Sequence, residues 1–212
     1  MSKVKKKKSK GKSRGLMGRS DIPYAQRMAL KHQNDIKANR DHAAKIAMYC
    51  DNIALNEVEG IGYKRLVRYA QHFKNVLDEF YADPEVGMVH AKRRMEQMGM
   101  EISGEFYSIK IDGLTQKKQE IHDHSMQAVQ IVLICGAIAK NDVFGFGKEK
   151  QFRISQRADE LTDEYSKKGE KFLLEKMEKI GFVVMDGDVC AFSDDDGNAI
   201  TYKQWREQNA EM

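Results

Sequence analysis

Apolar and polar positions along this chain repeat with a helical period, pause at a pair of glycines, and do so twice before the period changes to two. No glycine or proline occurs from Tyr24 to Glu59, so that span predicts a long helix, continuous or broken once. Ser20 or Asp21 is the expected N-cap, with Pro23 in the first turn. Gly60-Ile61-Gly62 then ends the helix. Beyond it, Leu66, Tyr69, Ala70, Phe73, Val76, Leu77 and Phe80 recur at steps of three and four and define one apolar face of a second helix. Asp83 as N-cap and Pro84 at the first helical position open a third, which stops at Gly99.

The same order then returns. Residues 122–140 read as a helix, Gly145-Phe146-Gly147 as its corner, Phe152 to Tyr165 as the next helix and Glu170 to Gly181 as the last. Between the two series, residues 101–116 alternate in polarity and predict a short strand or an extended linker. After Gly181 the period is two and Asp196-Gly197 supplies a turn, which predicts a small β-hairpin.

At an offset of 85 residues, the segments 42–66 and 127–151 share nine identities in 25 positions. They are Ala43/Ala128, Ile46/Ile131, Cys50/Cys135, Ile53/Ile138, Ala54/Ala139, Asn56/Asn141, Val58/Val143, Gly60/Gly145 and Gly62/Gly147. Arg68/Arg153, Gln71/Gln156, Asp78/Asp163 and Glu79/Glu164 continue the match, and a short deletion aligns "MEQMG" at 95–99 with "MEKIG" at 177–181. An ancestral duplication is inferred. Two copies are too few for a solenoid, so the expected fold is mainly α, with internally duplicated three-helix units packed about a pseudo-two-fold axis and a small C-terminal β-hairpin. The expected divisions are a basic tail at 1–20, a first repeat at 21–99, a linker at 100–118, a second repeat at 119–181 and the hairpin extension at 182–212.

Charge changes this picture at one end only. Of 36 Lys and Arg residues, nine lie in residues 1–20, which contain no acid; this leaves 27 cations against 32 acids in the rest. Such a tail, Lys5, Lys6, Lys7 and Lys8 included, is expected to be disordered and to seek a polyanion. The whole chain is 41% apolar, enough for a core. No apolar segment follows the basic start and no run of 18 apolar residues occurs, so a cytoplasmic protein with no membrane partner is expected. Cys50, Cys135 and Cys190 are odd in number and widely spaced, which predicts reduced structural thiols.

A Gly-apolar-Gly corner between helices offers φ > 0 at both glycines, lets the middle side chain pack inward and exposes the amides that open the next helix to an anion. "VEGIGYKRLVRYA" resembles the helix-hairpin-helix motif, whose hairpin contacts DNA phosphates through backbone amides. The resemblance implies a hairpin at Gly60, Ile61 and Gly62 with Lys64, Arg65 and Arg68 near phosphate. The second copy gives Gly145, Phe146, Gly147, Lys148, Lys150 and Arg153, with Glu149 where the first has Lys64. "DVFGFGK" is also similar to a corner found in small helical proteins of phages and mobile elements of Gram-positive bacteria. That likeness implies a nonenzymatic role in phage DNA metabolism or in countering host defence.

Other groups lead less far. Asp186, Asp188, Asp194, Asp195 and Asp196 offer oxygen ligands to a divalent metal but lack the EF-hand spacing and suit turns better. His122 and His124 point to different helix faces. Methionines at 88, 95, 98 and 100 suit core filling or an adaptable partner groove. Trp205, beside Tyr202 and Arg206, reads as a lid on the hairpin. No phosphate loop, dinucleotide fingerprint or nucleophile-base pair is present, so neither enzyme activity nor a cofactor is expected. The expected function is nonenzymatic nucleic-acid binding, DNA ahead of RNA. The alternatives are an inhibitor or adaptor for a host protein and a metal-dependent nuclease.

Overall fold

Six helices build the body of the protein in a computed structural model that describes residues 23–102, 108–194 and 198–208. They are α1 (Tyr24–Glu59), α2 (Tyr63–Ala82), α3 (Pro84–Gln97), α4 (Gln116–Phe144), α5 (Lys148–Lys168) and α6 (Glu170–Ile180). The chain closes with strands β1 (Val183–Met185), β2 (Asp188–Cys190), β3 (Phe192–Ser193) and β4 (Ala199–Ile200) and a short helix α7 (Tyr202–Gln208). The fold is mainly α with a small C-terminal β element, as the periodicity predicts.

Local chemistry explains most boundaries. α1 runs unbroken for 36 residues, about 54 Å, with Pro23 immediately before its first turn; Ser20 and Asp21 lie outside the described residues. Asp83 caps α3, its carboxylate accepting from the Val86 amide at 3.2 Å, with Pro84 at the first position. Such a cap contributes about 1 kcal/mol. α4 begins at Gln116, inside the segment read as linker, and the described part of 100–115 contains no strand.

The long helices α1 and α4 lie side by side and point the same way. His32 meets Glu120 near their starts and Lys140 meets Asp51 further along. α5 runs back along α1, pairing Arg157 with Glu57, Thr162 with Cys50 and Tyr165 with His42. α2 runs back along α4 in the same manner, with Arg65 at Phe144 and His72 at Asp142. α1 therefore packs on α4, α5 and α6, and α4 packs on α1, α2 and α3. Each long helix is thus embraced by the second and third helices that belong to the other half of the sequence. Ile46, Cys50, Ile53 and Ala54 on α1 and Ile131, Cys135, Ile138 and Ala139 on α4, all buried, form the centre. α4 is long and apolar enough by composition to cross a bilayer, yet half of its most apolar stretch is buried inside this bundle.

The centre is not purely apolar. Lys140, 3% exposed, donates to Asp51 Oδ1, and the Tyr69 hydroxyl donates to Asp51 Oδ2 at 2.7 Å. Burial, first, and the Asp51 carboxylate beside it hold the Tyr69 phenol well above its ordinary range. Gly136 makes the room: a Cβ there would stand 3.0 Å from the Tyr69 hydroxyl. At the positions 85 residues away, the sequence places Gly136 opposite Asp51, Leu55 opposite Lys140 and Ile154 opposite Tyr69.

The C-terminal part holds two hairpins where one was expected. β1 and β2 pair antiparallel, Val183 with Cys190 through Met185 with Asp188. Asp186 and Gly187 close them with φ of 53° and 84°, the left-handed pair that a two-residue Asp-Gly turn requires. β3 and β4 pair as Phe192 with Ile200 and Ser193 with Ala199; the expected turn at Asp196-Gly197 lies outside the described residues. Trp205 and Tyr202 of α7 cover Phe192, with ring centroids 5.1 Å away in each case.

The buried pair gives a stability prediction. Lys140→Leu strands Asp51 in the interior and is expected to destabilise the protein by about 3–5 kcal/mol. Adding Asp51→Ala removes the stranded charge and should restore much of that loss in urea denaturation. A double variant no more stable than Lys140→Leu would show that the pair does not govern this site.

Candidate nucleic-acid interface

The two glycine corners adopt one geometry. Gly60 has φ 65° and ψ 26°, and Gly145 has φ 66° and ψ 28°, so each ends its helix in the left-handed conformation that glycine accepts without strain. Gly62 and Gly147 differ from expectation: their φ values of −78° and −83° are ordinary extended backbone. Only the first glycine of each corner is demanded by conformation. The middle residues, Ile61 and Phe146, are 2% and 5% exposed and anchor each corner in the core. Asn56 donates its amide to the Ile61 carbonyl at 3.1 Å, and Asn141 does the same to Phe146 at 3.2 Å. Gln151, buried, adds bonds to the carbonyls of Ala137 and Phe146 at the second corner.

Gly62 and Gly147 occupy the N-cap positions of α2 and α5, where neither can offer a side-chain acceptor. Both are exposed, and a Cβ at either would find nothing within 4 Å. Neither strain nor crowding accounts for these glycines. Their effect is to leave the first amides of two helices uncovered.

Because α1 and α4 are parallel, both corners emerge at the same end of the bundle, and side chains link them. The Arg65 guanidinium lies over the Phe144 ring, just before the second corner, at 5.1 Å. Lys150 and Arg153 reach Glu59, just before the first corner, at 3.2 and 2.7 Å. Arg65 apart, the predicted corner cations thus gather in one place but divide into two groups. Lys150 and Arg153 share one carboxylate, whereas Lys64, Arg68 and Lys148 are exposed and meet no carboxylate among the described residues. Glu149 stands exposed in the first turn of α5. Lys5, Lys6, Lys7 and Lys8 lie outside the described residues.

Below the corners, two clamps escaped sequence reading. Asp142 on α4 binds His72 of α2, at 2.8 Å, and Arg94 of α3. Glu57 on α1 binds Arg157 of α5, at 2.7 Å, and Lys176 of α6. The acids differ by the 85-residue offset, as do His72 and Arg157, while Arg94 and Lys176 match after the deletion. Burial alone would raise Asp142, but hydrogen bonds from Arg94 and His72 outweigh it and hold the carboxyl below its ordinary value. Glu57 is lowered likewise, burial being outweighed by Lys176 and Arg157. Chemical identity was the only sequence sign, and Glu facing Asp hid it.

The remaining candidates have structural roles. Asp186 is a turn residue, Asp188 binds Lys45 at 3.3 Å, and Asp194 accepts from the Asn198 amide at 2.7 Å; Asp195 and Asp196 lie outside the described residues. No group of three possible metal ligands occurs among the described residues. Burial pushes the Cys135 thiol up to about 12 and raises that of Cys50, so neither is an activated nucleophile. Met95 is buried in the core, with Met88, Met98 and Met100 packed against it.

No protein-family model, curated protein or solved structure matches the chain.

The clamps predict an acid response with a definite sign. Both carboxyls are held below their ordinary values, so their contribution is complete above pH about 4.5 and is lost as pH falls through the folded values. The double variant Asp142→Asn/Glu57→Gln should be less stable at pH 7 by roughly 1–3 kcal/mol, allowing for partial solvent screening. Melting curves of variant and parent should converge as pH drops towards about 2. A gap that stays constant with pH would assign the loss to packing.

Proposed function

We propose that this is a nonenzymatic, intracellular nucleic-acid-binding protein of phage or mobile-element type, built from a duplicated three-helix unit, that holds the phosphate backbone at its corner end. The observation that supports this most is the convergence, on one end of the bundle, of two helix starts without a side-chain cap and of Lys64, Arg68 and Lys148, which meet no carboxylate among the described residues. Backbone amides at a helix start suit a phosphate, and exposed cations add affinity without reading sequence. The likeness to helix-hairpin-helix corners points the same way, and the basic tail extends the attraction. The duplication is supported by the matched corners and matched clamps, each recurring at corresponding positions.

A second reading, an adaptor for a host protein, is favoured by the opposite end. There Tyr24, Met28 and Leu30 of α1 and Ile109 and Ile111 before α4 are exposed. The exposure of all four corner glycines favours the first reading.

A substitution that improves the fold while covering the amides separates architecture from function. Gly62→Asp with Gly147→Asp gives each helix a capping carboxylate in open space, so thermal stability should hold or rise by a few tenths of a kcal/mol. Anisotropy titration of a labelled duplex with the full chain should nevertheless show weaker binding. The slope of log K against log salt should become shallower by about 0.9 for each phosphate that the variant no longer neutralises. Unchanged binding in this variant, with loss of binding when Lys5, Lys6, Lys7 and Lys8 become Ala, would make the corners purely architectural.

A further inference from the structure

Among the differences between the two halves, one beside the corners changes both chemistry and exposure. On α2, Tyr63 donates its hydroxyl to the Ile200 carbonyl and accepts from the Phe192 amide, so the C-terminal hairpin lies against the first turn of that helix. Val67, one turn further on the same face, is 4% exposed. The corresponding residues of α5 are Lys148 and Phe152. Among the described residues no equivalent hairpin covers them, and Phe152 is 62% exposed. A position that is apolar and covered in one half is thus aromatic and open in the other.

Its surroundings are polar. Lys148 precedes Phe152 by one helical turn, Arg153 follows it in sequence, and Ser155 and Gln156 lie one turn on, all exposed. Glu149 shares the preceding turn, and Arg153 is held by Glu59 at 2.7 Å, whereas Lys148, the cation one turn before Phe152, meets no carboxylate among the described residues. A flat apolar ring beside a cation and a helix start with open amides matches the two needs of an unpaired nucleotide, a stacking surface for its base and a positive site for its phosphate. A duplex keeps its bases stacked on each other and offers nothing to such a ring.

Resting on the function proposed above, we infer that the nucleic acid taken at this end is single-stranded, with one base stacked on Phe152 and its phosphate beside Lys148. Full-length protein would be titrated into a labelled thymidine oligonucleotide of about 12 residues and into a duplex of equal length. The parent should prefer the single strand. Phe152→Ala and Phe152→Leu should each lose about five- to hundredfold in single-strand affinity, Phe152→Trp should retain it, and duplex binding should be the same for all. Because the ring is mostly in solvent, melting temperatures should not move, which keeps folding out of the comparison.

Parental single-strand affinity in Phe152→Ala would overturn the inference. So would full affinity in Phe152→Leu, since bulk without a π face would then suffice, or a parental preference for duplex. If the Phe152 variants bind like the parent while Gly62→Asp/Gly147→Asp binds weakly, the corner reading survives and stacking falls. If the parent binds neither oligonucleotide, both readings fall together.

Discussion

Everything at the corner end follows from α1 and α4 lying side by side and pointing the same way. Two parallel helices align their dipoles unfavourably, so the arrangement needs compensation. The returning helices α2 and α5 supply it, each antiparallel to a long helix of the other half. The Lys140–Asp51–Tyr69 group sits at the heart of this pairing and is the polar feature most sensitive to sliding of the long helices. A shift of one helical turn would separate the charges inside an apolar interior, where an unpaired ion is very costly. The pair therefore acts on register, and register sets where the corners emerge.

Reciprocity is the second consequence. Asp142 gathers α2 and α3 onto α4, and Glu57 gathers α5 and α6 onto α1. In each case the acid belongs to one half and both of its partners to the other. Neither three-helix segment retains this clamp by itself. The divisions read from sequence mark where the pattern repeats, while the packing joins the segments into one body.

How much of this was legible depends on the residue. Helix faces, the capped start at Asp83 and the glycine corners announced themselves because period, proline and glycine act locally. Ile61 and Phe146 were legible as inward anchors for the same reason. The clamps were not, since a carboxylate has the same letter whether it is solvated or pinned between two helices far away in sequence. Lys140 was hidden more deeply, because a lysine near a helix end normally reaches water, and only Gly136 and Asp51 together make it a core residue. Of two Asp-Gly pairs in the C-terminal segment, 196–197 was read as a turn, and β3 and β4 pair on either side of it; the pair at 186–187, which closes β1 and β2, went unread.

The same geometry limits what the corners can do by dipole alone. At each corner the end of one helix, partly negative, meets the start of the next, partly positive, so much of the field cancels within a turn. Attraction for an anion then depends on amides that remain geometrically open and on nearby side chains that no carboxylate has neutralised. Gly62 and Gly147 provide the first condition and, among the described residues, Lys64, Arg68 and Lys148 the second. Glu59 reduces the contribution of Lys150 and Arg153 to one net charge shared between them. The second corner is thus the less cationic of the two, and it is the one with the exposed aromatic ring. Under the single-strand reading proposed above, charge concentrates at one corner and a stacking surface lies beside the other, and the two can serve one ligand only because both corners face the same way.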